Sequence, residues 1–127
     1  MSRIGFDTLI FRIYGKQLED LRMQWADNLY LTDKTAKKKD KIIRKANRGI
    51  GMVSIYLITL ASNREYLFDI FHAAHLKQPA FYKQDLYVVG IASGYEEALE
   101  LVQRMIDDIY RKTGGFAVRE YFGRTEN

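Results

Sequence analysis

Two stretches, Tyr56–Glu65 (YLITLASNRE) and Tyr87–Glu96 (YVVGIASGYE), follow one pattern. In each, an aromatic residue opens an apolar run, Ala-Ser closes it, and a Glu stands three positions after the Ser. The runs have the length and composition of β-strands, and Ser-x-x-Glu is the capping-box pattern at a helix start. The pattern therefore predicts a strand–turn–helix unit written twice. The predicted strands are Val53–Leu60 and Leu86–Ile91, and the predicted helix N-caps are Ser62 and Ser93.

The flanking segments supply the other predicted elements. Apolar residues at helical spacing predict a helix within residues 7–31: Tyr14, Leu18, Leu21, Trp25 and Leu29. Its start is left open, because residues 8–14 also suit a strand. Lys34–Asn47 reads as a second helix, which the glycines at 49 and 51 end. Phe116–Phe122 alternates in hydrophobicity and predicts a final strand.

These elements give the order α-α-β-α-β-α-β and predict an α/β (or α+β) fold. Strand–helix–strand connections favour parallel pairing, so we expect a small three-stranded sheet packed with helices, its third strand at an edge. Residues 1–127 form one predicted domain, with a helical part at 1–50 that contains the basic second helix and a β-α-β-α-β part at 51–127. The chain length suits one self-sufficient core.

Composition narrows the class of protein. The chain has no cysteine, which excludes disulfides, a thiolate nucleophile and a cysteine-ligated metal site. No apolar run approaches the ~20 residues that span a bilayer, and no motif indicates a cofactor. The sequence therefore predicts a soluble, cytoplasmic protein without membrane contact.

The positive charge is concentrated in one segment. Residues 34–48 hold eight bases and one acid, a net of +7, so the overall +4 leaves −3 for the rest of the chain. A basic stripe on a helix is typical of phosphate contact. It predicts polyanion binding by Lys34, Lys37, Lys38, Lys41, Arg44, Lys45 and Arg48. Two other interpretations stay open: a solvated helix face, or one paired with the acidic helix at 96–108.

The two predicted strand-to-helix turns form a second candidate site. In parallel sheets, ligands bind beyond the carboxyl ends of the strands, where helix N-termini present free amides. If the two strands are neighbours, a small anionic ligand could contact Ser62, Asn63, Ser93 and Gly94. The alternative is that both serines are only helix caps, which are far more common than ligand sites.

Metal and catalytic sites have little support in the sequence. Asp69, His72 and His75 recur at steps of three, but two histidines and one acid without a fourth ligand are a weak basis for a metal site. Whether the histidines belong to the core or bind a ligand is left open. No common hydrolase motif is present, which favours a non-enzymatic role.

The sequence thus predicts a small non-enzymatic binding or regulatory module that uses its basic helix against nucleic acid or an acidic protein surface. The alternative is a small-ligand-binding or enzymatic domain that uses the two turns. Charge complementarity between the basic helix and the acidic helix at 96–108 further predicts a homo-oligomer.

Overall fold

The computed structural model describes residues 23–76 and 86–124. The strands are β1 Gln24–Leu31, β2 Ile55–Leu60, β3 Phe68–His72 and β4 Tyr87–Ser93. The α-helices are α1 Asp33–Lys37, α2 Lys39–Asn47, α3 Tyr95–Thr113 and α4 Val118–Tyr121, and a 3₁₀ turn covers Ala73–His75. The predicted mixture of helices and strands is confirmed, whereas several individual elements differ from the prediction.

The four strands form one sheet in the order β1-β4-β2-β3. β1 pairs with β4 in parallel, whereas β2 pairs antiparallel with both β3 and β4. The predicted three-stranded parallel sheet was therefore wrong in strand number and in the direction of the β2–β4 pair. The cause is the tight β2–β3 hairpin, which supplies an additional strand in place of a crossover helix.

Hydrophobic residues cover both faces of the sheet. Helix α3 packs on one face, where Ile58, Val89 and Met105 belong to one buried cluster. Helix α2 packs on the other face, where Ile42 and Leu57 belong to a second cluster. Successive residues of a strand point to opposite faces, so the two central strands supply both clusters. This burial explains their nearly continuous apolar composition.

The first predicted unit has the strand but not the helix. Asn63 forms a tight turn, in which its side-chain Oδ1 accepts a hydrogen bond from the Glu65 amide at 2.9 Å and its carbonyl accepts one from the Tyr66 amide at 3.0 Å. The chain then returns as β3, whose Phe68, Ile70 and Phe71 favour a strand. Ser62 lies exposed in this turn and is not a helix N-cap.

The second predicted unit is confirmed apart from its cap. β4 runs to Ser93, Gly94 takes the N-cap position with φ of 98°, and α3 begins at Tyr95. This positive φ is easily adopted only by glycine, which explains why the helix starts one residue later than the Ser93 cap implied. The buried positions Ala98, Met105 and Ile109 agree with the predicted apolar side.

Two further predicted elements were wrong. Residues 24–31, the end of the predicted first helix, form strand β1. The register of β1 with β4 shifts between Trp25 and Tyr30. Trp25 and Leu29, four residues apart, both pack on the second cluster, and this spacing is the same as that of an apolar helix face. Residues 7–22 of that prediction lie outside the described residues. The predicted last strand instead contains α4, because Val118 and Phe122 are buried at helical i, i+4 spacing.

Candidate polyanion-binding surface

The seven predicted polyanion-binding residues lie on α1, α2 and the turns next to them, and we call them the basic surface. Six of the side chains are exposed and that of Lys45 is half-buried. The predicted single helix is divided at Lys38, whose φ of −119° and ψ of 21° depart from helical values. The basic residues therefore occupy two short consecutive helices instead of one long helix.

Burial of the opposite side of α2 turns its bases outward. Ile42 and Ala46 are 4% and 1% exposed and pack on the sheet. At 3.6 residues per turn, Lys41, Arg44 and Lys45 fall within an arc of roughly 100° on the side away from these two residues. The packing of α2 on the sheet thus fixes the orientation of the helix and places these three cations on the side away from the sheet.

Polar contacts attach both basic helices to the sheet. The buried Thr35 hydroxyl donates a hydrogen bond to the carbonyl of Ile91 in β4 at 2.9 Å, and it accepts one from the Thr32 amide at 3.0 Å. At the end of α2, the Trp25 indole donates to Asn47 Oδ1 at 3.0 Å. These bonds hold the basic surface in a defined position against β1 and β4.

The basic surface carries little internal charge compensation. Among the described residues, none of its seven side chains forms a hydrogen bond or an ion pair. Lys34 shares a cleft with Glu97 and Glu100 of the acidic helix. The alternative in which the whole stripe pairs with the acidic helix within one chain has no support in these contacts.

A hollow of about 440 Å³ lies on the basic surface where α1 meets α2. Its lining includes Lys37, Lys38, Lys41 and Arg44, with Asp40 as its acidic member. Several cations around one concavity raise the local positive potential more than the same charges on a convex surface. The arrangement is suited to a phosphate group, or to a run of them, and its described lining contains no aromatic ring on which a base could stack.

The second predicted site is not assembled as expected. Ser93 pairs with Ile55 at the start of β2, whereas Ser62 and Asn63 follow the end of β2 at Leu60. Because β2 and β4 are antiparallel, the two turns lie at opposite ends of the sheet. The premise that they stand side by side was wrong, since it required parallel strands.

The histidines take part in aromatic packing at the sheet edge. The His72 ring stacks on Tyr56 with centroids 4.5 Å apart, and its Nε2 lies 2.5 Å from the carbonyl oxygen of Val53. His75 packs edge-on against His72 at 5.5 Å. In the described part of the chain, no three His, Asp or Glu residues are grouped so that they could hold a metal ion.

One feature that the sequence did not indicate is a cleft between α1 and α3, which we call the α1–α3 cleft. Its volume is about 500 Å³, and its polar lining residues are Thr32, Asp33, Lys34, Glu97, Glu100 and Arg104. The two halves of this lining are more than sixty positions apart in the chain. Only the parallel pairing of β1 and β4 brings them together, and no local pattern encodes that pairing.

A second unpredicted feature is a hydrogen-bond network between β1, α3 and α4. The Tyr30 hydroxyl donates to Asp108 at 2.9 Å and lies 3.0 Å from the Tyr121 hydroxyl, while Arg111 donates to Asp108. Burial, followed by the bonds with Tyr121 and Asp108, raises the pKa of Tyr30. The bond from Arg111, followed by that from Tyr30, lowers the pKa of Asp108. The network fastens α3 to the edge strand.

We expect Tyr30→Phe to lower the free energy of unfolding by about 1 kcal/mol at pH 7, because it removes one partly buried hydroxyl that is hydrogen-bonded to Asp108 and Tyr121. A raised pKa means that the folded state retains the Tyr30 proton. This stabilisation is complete below the ordinary tyrosine pKa of about 10 and is lost as pH rises beyond it. Urea unfolding between pH 7 and 11 should show a smaller alkaline loss of stability in the variant. Equal losses in both proteins would contradict this role of Tyr30.

No protein-family model matches the chain, and no curated protein or solved structure is significantly similar to it. In the described residues, no helix is long and apolar enough to cross a membrane.

Proposed function

We propose that this protein is a non-enzymatic binding module whose basic surface contacts the phosphate backbone of a nucleic acid. The observation that carries the proposal concerns the seven cations of the basic surface. They lie together on α1, α2 and the adjoining turns, and they have no side-chain partner among the described residues. Placing them together costs free energy through like-charge repulsion. An external polyanion would relieve that repulsion.

The composition of the basic surface indicates the mode of binding. Five of its seven members are lysines, which act as hydrated point charges, whereas arginine is the side chain that reads guanine through two hydrogen bonds. None of the seven members of the basic surface carries an aromatic ring on which a single-stranded base could stack. We therefore expect binding that neutralises phosphates and discriminates weakly between sequences.

The salt dependence of binding tests this proposal. Fluorescence anisotropy with a labelled duplex should give an affinity that falls linearly in log–log form as salt rises. For five to seven phosphate contacts the expected slope is about −4.5 to −6. Two duplexes of equal length and unrelated sequence should bind with similar affinity. Absence of binding at 50 mM salt, together with binding to a polyglutamate peptide, would replace nucleic acid with an acidic protein as the partner.

Self-association is the second property that we propose, through a stripe on α3 instead of the basic surface. Tyr95, Leu99 and Tyr110 are 52%, 46% and 53% exposed. Together with the half-buried Val102 and Ile106, they form a row along one side of the helix. Helix α3 has two acids, Glu96 and Glu97, in its first turn and two bases, Arg111 and Lys112, in its last turn. This polarity favours antiparallel approach of a second copy.

Light scattering should detect a dimer of the wild-type protein. Replacing Leu99 and Tyr110 with Gln should yield the monomer, because both substitutions remove apolar surface from the stripe. Glu100→Gln, also on the exposed surface of α3, should leave the dimer intact. A wild-type protein that is monomeric from low to high salt would contradict self-association.

A further inference from the structure

The connections that follow the neighbouring parallel strands β1 and β4 leave toward opposite faces of the sheet. β1 leads into α1 and α2, and Ile42 and Ala46 of α2 pack with Leu57 on one face. The parallel neighbour β4 leads into α3, which packs with Ile58 on the other face. Adjacent parallel strands whose following helices diverge in this way leave a crevice at their carboxyl ends. In open α/β sheets such switch points are where ligands bind.

The α1–α3 cleft lies at this position. Thr32, Asp33 and Lys34 directly follow β1, while Glu97 and Glu100 belong to the first turns of the helix after β4. The volume of about 500 Å³ falls in the range of small-molecule sites. The divergence of the strand connections and the presence of a cavity are independent observations. Both indicate a ligand-binding site at the carboxyl ends of β1 and β4.

The charges of the cleft define the chemistry of a ligand. Three carboxylates, from Asp33, Glu97 and Glu100, face two cations, from Lys34 and Arg104. The Arg104 guanidinium is held by the Leu31 carbonyl at 3.3 Å and lies 5.7 Å from the centre of the Tyr30 ring. Among the described residues, Arg104 forms no hydrogen bond or ion pair with any of the three carboxylates.

Of these three carboxylates, that of Glu97 has an oxygen, Oε1, that is shielded from solvent and has no hydrogen-bond partner among the residues that the structure describes. A shielded carboxylate oxygen without a donor is costly. Rotation of the Glu97 side chain toward the cleft would bring this oxygen within reach of an N–H group on a ligand and would remove that cost. Lys34 and Arg104, in the same cleft, suit an anionic group on the same molecule.

We propose that the α1–α3 cleft binds a small zwitterion resembling an amino acid. Its ammonium or guanidinium group donates to Glu97 and Glu100, and its carboxylate lies against Lys34 and Arg104. This site is separate from the phosphate-binding role of the basic surface. Lys34 is the one residue that belongs to both.

The test uses the full chain and calorimetric titration with L-arginine, agmatine and acetate. Arginine should bind and raise the melting temperature. Agmatine, which lacks the carboxylate, should bind more weakly, and acetate should have no effect. Glu97→Gln should weaken arginine binding by at least about tenfold, because a charged hydrogen-bond acceptor is lost. Glu96→Gln, exposed and outside the lining, should bind like the wild type.

Should Glu97→Gln fail to fold, Glu100→Gln serves as the second variant and should also weaken binding. Two results would overturn the proposal: no binding of arginine to the wild-type protein at millimolar concentration, or equal affinities of the wild-type and Glu97→Gln proteins. Nucleic-acid binding measured in parallel keeps the two roles distinguishable, because Glu97→Gln should not weaken it.

Discussion

Replacing Lys41, Arg44 and Lys45 with Gln should reduce duplex affinity by about 10²- to 10³-fold at 0.1 M salt, because three phosphate contacts are lost. The log–log salt slope should become less negative by about 2.7. The three side chains lie on the outward side of α2, and among the described residues they have no side-chain partners. The fold should therefore tolerate their neutralisation, which circular dichroism would verify.

A matched variant separates local contact from net charge. Ser54→Glu, Gln103→Glu and Ala117→Glu lower the net charge by the same three units at exposed positions off α1 and α2. This variant should retain most of the affinity, because screening limits charge effects beyond about 10 Å at 0.1 M salt. Equal losses in both variants would show that only overall charge matters and would contradict a defined binding surface.

Met105→Ala should lower the free energy of unfolding by about 2–5 kcal/mol, the usual cost of emptying a buried site of this size. Met105 is 0% exposed and belongs to the cluster between α3 and the sheet. Single domains have only about 5–15 kcal/mol of total stability, so the loss would be a large fraction of it.

Gln103→Ala is the control for that substitution, because Gln103 lies exposed on the same helix. Its effect should stay within about 0.5 kcal/mol, as is usual for surface positions. Urea unfolding followed by circular dichroism measures both values. A Met105→Ala cost no larger than that of Gln103→Ala would contradict the packing of α3 on the sheet.

Local patterns predicted the parts of the fold that local physics decides. The apolar runs of β2 and β4 and the apolar side of α3 follow from hydrophobic periodicity. The hairpin after Leu60 was missed because Ser-x-x-Glu also occurs at 62–65. There the Asn63 side chain makes a turn, and the bulky residues at 68–71 favour a strand. A capping pattern therefore does not by itself specify a helix.

Long-range pairing accounts for the remaining differences. The direction of β2 against β4 and the position of β1 at the sheet edge depend on contacts between distant parts of the chain. The basic residues could be listed from the sequence because all seven fall within one segment, residues 34–48. The α1–α3 cleft could not, since Lys34 and Glu97 meet only through the β1–β4 pair.

Amide chemical shifts of the isotope-labelled protein will show whether nucleic acid binds at the basic surface. On titration with a duplex at 50 mM salt, the largest shift changes should fall on residues 34–48, and they should disappear when salt is raised. Residues on the exposed side of α3 outside the α1–α3 cleft, such as Gln103 and Asp107, should be unaffected. Shift changes centred on α3, or no changes at residues 34–48 at saturating duplex, would contradict the proposed function.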